Sequence, residues 1–312
     1  MTVLSARFAA EAASVPGARH FVTDGLRSWG MTHLVDDIAL CVTELGANAA
    51  LHSAAAFMSV TITNKAPTVT ISVEDDGDVV GAAVVPRADY SPDAVQTPHA
   101  LDEEPTTGRG LAIVAALASQ WGVHATEGGK KVWATFGGEA GGMEVDPPAD
   151  EPAEPAPAVP EGWALVRLAG CPVRLSLRQD DHLDELVREL QLLRIENGDN
   201  SRSHALARQI QGLLVAPAHA RLTGRRIAQL ADQSGMEHVD IDMALPAEAS
   251  LMIRELQQAV TAADQLCEDL ELLTLASTPE IRALRRWMTN EIVAQIEEGR
   301  RPLTWQAWQR QA

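Results

Sequence analysis

Basic residues and cysteines are scarce in this sequence of 312 residues. It has 25 Lys and Arg against 43 Asp and Glu, which gives a formal charge of −18. Because phosphate contacts require clustered basic side chains, this balance argues against direct binding to nucleic acid or to an anionic membrane surface. The 3 cysteines, Cys41, Cys171 and Cys267, form neither a CxxC metal motif nor a disulfide framework, so we expect no structural zinc.

Long apolar runs are also missing. No stretch approaches the roughly 18 apolar residues of a membrane-spanning helix. The first residues, up to Glu11, contain no basic segment followed by an apolar one, which a secretory signal would need. We therefore expect a cytoplasmic protein without a membrane partner.

Apolar side chains are abundant, at 46% of the residues, which is enough for packed cores. An acidic segment interrupts them, since residues 141–162 hold 6 of the 17 prolines, 6 acidic residues and no basic residue. Proline favours extended backbone and like charges repel, so this segment is predicted to be a linker. The sequence thus predicts one domain over residues 1–140, the linker 141–162 and a second domain over residues 163–312.

The first domain mixes helical and strand patterns of apolar residues. Helices are predicted over residues 15–29, 34–52 and 110–121, and strands over residues 58–63, 69–73 and 131–136. A mixture of this kind predicts a two-layer α/β sandwich.

The second domain is predicted to be mainly helical. Apolar stripes at helical spacing run through residues 183–193, 206–213, 249–270 and 281–296. Pro246 is expected in the first turn of one helix, and Thr278 and Pro279 are expected to begin another, which Gly299 ends. Because such stripes must be buried against one another, they predict a helical bundle. Two alternating runs predict a small hairpin at its start, at Trp163–Leu168 and Val173–Leu177.

Two motifs in the first domain place polar residues where a ligand could bind. Glu44 and Asn48 are four residues apart, so one face of a helix carries both. Asp75 directly follows a strand and presents a carboxylate, while Gly77 lets a ligand approach the backbone closely.

A third motif, with Gly108 and Gly110, opens a helix whose N-terminal N–H groups and dipole favour phosphate. Each motif alone has an ordinary explanation: a solvated helix face, a turn, or a tight connection between elements. Lys130 and Lys131 could likewise either touch phosphate or lie on a solvated turn. The joint occurrence of the three motifs is much more specific.

In this order and spacing, the motifs resemble those of the GHKL ATPases, and within them the anti-sigma-factor serine kinases of the SpoIIAB/RsbW type. The matching residues are Glu44, Asn48 and His52 in the N box, Asp75-Asp76-Gly77 in the G1 box and Gly108-Arg109-Gly110-Leu111 in the G2 box. The resemblance covers residues 5–137. It implies a two-layer α/β sandwich of the GHKL (Bergerat) type and leaves the helical domain unexplained. With the mainly α-helical bundle domain that the apolar stripes predict after it, the chain is expected to be of the α+β class.

The resemblance further implies a site for ATP and Mg²⁺. Asn48 would bind the Mg²⁺ that bridges the ATP phosphates, and Glu44 would act as the general base toward a Ser or Thr hydroxyl. His52 is expected to pack or hydrogen-bond rather than to catalyse. Asp75 would accept from the adenine amino group, and Gly77 would leave room for the ring. The backbones of Gly108 and Gly110 would cradle the phosphates, and Arg109 and Leu111 of the same motif would also belong to the cofactor-binding residues. The polar stretch 79–107 would form the lid over the nucleotide.

A function follows from the same resemblance. The chain would be an ATP-dependent protein serine/threonine kinase that phosphorylates a STAS-type anti-anti-sigma partner and binds a sigma factor, thereby regulating transcription. A homodimer of the kinase domain is expected from the family. The second domain would be regulatory or would mediate interactions.

Two departures from the family pattern keep an alternative open. The G1 box lacks a second glycine, because Asp78 and Val79 follow Gly77, and Thr106-Thr107 precede Gly108 where relatives often carry an arginine. The alternative is a non-catalytic, ATP-responsive module that sequesters a regulatory partner. In a third, weaker hypothesis, the helical domain carries the function and the first domain is a degenerate platform.

Overall fold

The computed structural model describes residues 1–77, 109–126, 128–137, 142–143, 158–196, 202–215, 218–270 and 272–311. The chain divides into two compact units, Met1–Glu161 and Gly162–Ala312. Some predictions fall outside the described residues, namely those for Gly108, for the polar stretch 79–107 and for residues 144–157 of the linker. In the described part of the chain, no helix is both long and apolar enough to cross a membrane.

The first unit is a sheet covered by helices. Its strands are β1 (Thr2–Ala9), β2 (Phe57–Lys65), β3 (Thr68–Asp75), β4 (Gln120–Thr126), β5 (Gly129–Phe136) and β6 (Gly142–Met143), and its helices are α1 (Val15–Ser28), α2 (Val35–His52) and α3 (Arg109–Leu117). The strand order in the sheet is β1-β2-β3-β5-β4-β6. Neighbouring strands are antiparallel, except that β6 runs parallel to β4.

Alternation along the strands explains the two layers. In β2 and β3, the register pairs Val60 with Val73 and Ile62 with Ile71, so these buried side chains point to the same face of the sheet. The helices bury their own apolar stripes, including Phe21 in α1 and Leu45 in α2. The two-layer α/β sandwich predicted from the sequence is therefore confirmed.

The described residues of the second unit are mainly helical and include one pair of strands. Its strands are β7 (Trp163–Pro172) and β8 (His238–Pro246), and its helices are α4 (Val173–Glu196), α5 (Arg202–Val215), α6 (Ala218–Gln233), α7 (Ala249–Glu268), α8 (Pro279–Glu298) and α9 (Trp305–Gln309). β7 pairs antiparallel with β8. One core gathers around these strands and contains Cys171, while another lies among α4, α5 and α7 and contains Cys267.

The helix ends of the second unit confirm one prediction and overturn another. The Thr278 hydroxyl accepts from the Ile281 amide, Pro279 begins α8, and Gly299 ends it with φ 60°. Pro246, however, is the last residue of β8, and α7 begins only at Ala249. Pro246 pairs with Trp163 at the end of the strand ladder, where its missing N–H is tolerated.

The predicted hairpin is correct in its first strand and wrong in its second. Trp163–Leu168 is in a strand, but Val173–Leu177 forms the first turns of α4, and the true partner of β7 is the distant β8. Five alternating residues also fit a helix, in which Leu175 lies beside the core and Ser176 donates to the Val173 carbonyl.

Candidate functional site

Helix α2 carries the first pair of predicted site residues. Glu44 and Asn48 are one turn apart and half-buried. Next to this pair around α2, Cys41, Leu45 and Ala49 are buried in the core. The helix is therefore held by its apolar face, and the carboxylate and the amide lie half-buried along the edge of that face.

The N-terminus of α3 lies against this pair. A Cβ placed on Gly110 would be 2.8 Å from Glu44 Oε2 and 3.5 Å from Asn48 Nδ2. The first turn of a helix has backbone N–H groups without partners in the helix. Because Gly110 has no side chain, these groups share one small space with the carboxylate and the amide.

The remaining residues of the third motif have different positions. Arg109 is the first residue of α3, whereas Gly108 lies outside the described residues. The Leu111 side chain is buried, so it anchors α3 in the fold and leaves only its backbone to contact a ligand.

The second motif presents one buried carboxylate. Asp75, the last residue of β3, is 4% exposed. Its Oδ1 accepts from the Gly77 amide at 3.3 Å, and its Oδ2 lies 3.5 Å from Lys130 Nζ on β5. Burial raises the pKa of Asp75, while Lys130 and the Gly77 amide oppose the rise. Lys130 therefore contacts this carboxylate and does not lie on a solvated turn.

Two glycines allow close backbone contacts around Asp75. A Cβ on Gly77 would overlap the Ser53 carbonyl oxygen, just past the end of α2. A Cβ on Gly129 would overlap the Asp75 carbonyl oxygen in the same way. The resemblance assigned Gly77 to the adenine ring, but chain packing already requires glycine there. Nothing in the local sequence pattern around Gly129 shows which backbone lies opposite it.

Asp76 has a structural role distinct from that of its neighbour. Its Oδ1 accepts from the Phe57 amide at 2.8 Å, and Arg7 Nη2 lies 3.5 Å from its Oδ2. The Arg7 guanidinium also sits 3.7 Å from the centre of the Phe57 ring. Asp76 thus links the ends of β1, β2 and β3, and of the two adjacent acids only Asp75 has a carboxylate directed into the unit.

Two other residues of α2 are set apart from this chemistry. His52 is exposed at the last position of the helix. Cys41 is fully buried, and burial together with the nearby Asp37 and Glu44 carboxylates raises its pKa to about 12. Because the thiolate is the reactive form, Cys41 behaves as a small core residue.

The arrangement suits a nucleotide with a metal ion. Asp75 provides a buried hydrogen-bond acceptor next to the end of α2. The N-terminus of α3 lies beside Glu44 and Asn48 of the same helix, in a space that Gly110 leaves open. Among the described residues, no three His, Cys, Asp or Glu side chains cluster to hold a metal by themselves. Mg²⁺ keeps waters and phosphate oxygens as ligands, so a single oxygen from Asn48 fits this ion when a phosphate is present.

A comparison with protein families gives one match. Residues 8–136 match the model of the histidine kinase-like ATPase domain, and this range contains Glu44, Asn48, Asp75 and Gly110. No curated protein matches the sequence. The match covers less than half of the chain and supports a GHKL-type ATPase domain with an ATP-binding function in the first unit. It does not extend to residues 162–312.

Proposed function

We propose that the first unit is an ATP-dependent protein serine/threonine kinase of the anti-sigma type. Its substrate would be a Ser or Thr on a STAS-type anti-anti-sigma protein, and its second partner a sigma factor. The observation that carries the proposal is the half-buried Glu44 carboxylate, one helical turn from Asn48 and in contact with the first turn of α3.

Phosphoryl transfer requires positioning and neutralisation of charge more than covalent help from the protein. Asn48 would hold Mg²⁺, which neutralises phosphate charge when bound. The N–H groups near Gly110 would bind phosphate oxygens, aided by the dipole of α3. Glu44, beside them, would accept the proton of the attacking hydroxyl.

The other end of the site would bind the base. Asp75 is buried and would accept a hydrogen bond from the adenine amino group, in a place where water does not compete. Lys130 Nζ lies 3.5 Å from Asp75 Oδ2 and opposes the rise in the pKa of Asp75 that burial causes, which favours the carboxylate as an acceptor.

Phosphorylation of the partner would act as a switch. A phosphate on a packed interface adds close to two negative charges, which repel the many acidic residues of this chain. The modified partner would leave, and the sigma factor would then be bound in its place.

Calorimetric titration with Mg·ATP tests the site. Wild-type protein is expected to bind, and Asn48→Ala is expected to bind about tenfold more weakly or worse. Asp36→Asn is the control, because Asp36 is exposed on the same helix, away from the site. An affinity unchanged in Asn48→Ala would contradict the assignment of the metal ligand.

Transfer to a purified STAS-domain protein tests the kinase. Glu44→Gln is expected to retain ATP binding and to lose about 100-fold or more in the rate of transfer. Full transfer by Glu44→Gln would overturn the catalytic role. ATP binding by the wild type without transfer to any STAS-type protein would favour the alternative, a non-catalytic module that sequesters its partner in response to ATP.

A further inference from the structure

The second unit contains an apolar cavity of about 170 Å³. It lies between the strand pair and helices α4, α6, α7 and α8. Its apolar walls come from Leu183, Ile241, Leu245, Ile253, Val260 and Ile292. A dry cavity of similar size, lined by aliphatic side chains, holds a benzene molecule. The cavity therefore has room for an apolar body of about seven carbons.

One wall of the cavity is polar and contains paired charges. Arg221 and Arg225 line it from α6, and their charges are matched by Asp180 and Asp184 on α4. Asp180 lies 3.1 Å or less from both arginines, so its negative charge is neutralised within this group. An anion entering the cavity would not meet an unpaired carboxylate from Asp180.

Arg285 differs from these two arginines. Its side chain lines the same cavity and is 8% exposed. Its Nη2 contacts the Ser277 hydroxyl and lies 3.4 Å from Asp264 Oδ2. Its Nε is buried and has no hydrogen-bond partner among the described residues. The guanidinium is therefore only partly satisfied by hydrogen bonds where it borders the cavity.

Gly224 provides a second sign that space is kept for a ligand. It lines the cavity from within α6, where glycine destabilises a helix. A Cβ there would meet only Ile241 Cγ2, at an ordinary 3.5 Å. The fold therefore does not require glycine at this position, whereas a larger side chain would fill the cavity.

We propose that this cavity is a binding site for a small amphipathic carboxylate. The apolar part of the ligand would occupy the aliphatic walls, and its carboxylate would pair with the guanidinium of Arg285. The helical unit would then report on a small molecule, whatever the activity of the first unit. The proposal rests on residues of the second unit alone and does not depend on the kinase activity.

Calorimetry on the full chain with a ligand series tests the site. Phenylacetate has both an apolar ring and a carboxylate, toluene has the ring alone, and acetate has the carboxylate alone. We expect phenylacetate to bind about tenfold more tightly than toluene, and acetate not to bind. If the wild-type protein bound neither phenylacetate nor toluene, the proposal would be overturned. Equal binding of these two ligands would overturn the role of Arg285.

Two variants locate the binding. Arg285→Met removes the guanidinium and is expected to reduce phenylacetate affinity to that of toluene. Because Arg285 also contacts Asp264 and Ser277, Gly224→Leu provides a variant that keeps those contacts. It is expected to abolish binding of both ligands while thermal unfolding stays cooperative. Unchanged phenylacetate binding in a folded Gly224→Leu protein would place the ligand elsewhere and contradict the proposal.

Discussion

At the scale of single residues, the candidate site depends on places where a side chain is absent. Gly110 leaves Glu44 and Asn48 in contact with the start of α3, and Gly129 leaves the end of β3 in contact with the start of β5. The two glycines face different neighbours. One faces the tip of a flexible side chain and the other faces backbone, so substitution should have different consequences.

Gly110→Ala is expected to impair chemistry more than folding. The added methyl group would lie 2.8 Å from Glu44 Oε2, and the carboxylate can move away at little cost. We expect a loss of stability below about 1 kcal/mol. A displacement of about 1 Å in a catalytic group can cost about 100-fold in rate, so transfer from ATP should fall by that order. Thermal unfolding and the transfer rate, measured on one preparation, check both parts, and undiminished transfer would contradict the position assigned to Glu44.

Gly129→Ala is expected to impair folding. Its methyl group would overlap the Asp75 carbonyl oxygen, and backbone in the middle of a sheet cannot move aside. We expect a loss of about 3 kcal/mol in the free energy of unfolding, measured by urea denaturation. Gly128→Ala is the matched control, because a Cβ there has no neighbour within 4 Å. Equal stability of the two variants would show that β3 and β5 are not packed as described.

At the scale of helices and strands, the strong patterns were predictable and the weak ones were not. The sequence predicted α1, α2, β2, β3 and β5, because each has a sustained apolar period bounded by turns. It missed β1, an edge strand. It also missed β4, in which Gly122 and His124 interrupt the apolar pattern. The helix predicted over residues 110–121 is α3, which covers only Arg109–Leu117 because β4 begins at Gln120.

The site shows the same division. Residues with a chemical signature, such as Glu44, Asn48 and Asp75, were predicted as site residues from the sequence. Residues that act through tertiary contacts were not: Arg7 reaches Asp76 across the sheet edge, and Ser53 matters only because Gly77 lies against its carbonyl. A single sequence does not show which distant segments meet, so such contacts cannot be predicted from spacing.

The end of α7 carries strain that its counterpart at the end of α8 avoids. α8 ends at Gly299 with φ 60°, whereas the residue in the same left-handed conformation after α7 is Leu270, also with φ 60° and 88% exposed. Leucine in this conformation is unfavourable and its exposed side chain contributes little packing.

Leu270→Gly is therefore expected to stabilise the protein, by about 0.5–1 kcal/mol, because glycine adopts this conformation freely. The nearby Leu273→Gly is the control, since Leu273 is 94% exposed but is not in the left-handed region. It should instead lower stability slightly, through the entropy of the unfolded chain. Differential scanning calorimetry of both variants would show shifts of opposite sign, and a decrease for both would contradict the conformational argument.

At the scale of the whole molecule, each unit has a core of its own. The two cores of the second unit are formed entirely by residues between Ala164 and Trp308. They include an aromatic group in which Trp287 meets Trp305 edge-on at 5.5 Å, and Trp305 stacks on Trp308 at 5.4 Å. Such a unit meets the usual requirement for independent folding.

The fragment 162–312 is accordingly expected to fold when expressed alone. Its tryptophan group should give a near-ultraviolet circular dichroism signal that is lost in a single cooperative transition. The complementary fragment 1–161 should bind Mg·ATP with the affinity of the full chain, because Glu44, Asn48, Asp75 and Gly110 all lie in it. A fragment 162–312 without a cooperative transition would show that its cores need the rest of the chain.

The cysteines, one in each of three cores, offer a way to time the opening of each core separately. Cys41, Cys171 and Cys267 are buried, and burial raises the pKa of each thiol, to about 12, about 12 and about 11. An alkylating reagent added at neutral pH would therefore react only when the surrounding core opens. Mass spectrometry of the three modified peptides would then give three opening rates from one native sample, without any engineered label. Slower alkylation of Cys41 alone in the presence of Mg·ATP would indicate that nucleotide stabilises the first unit, and slower alkylation of Cys171 with phenylacetate would indicate the same for the second.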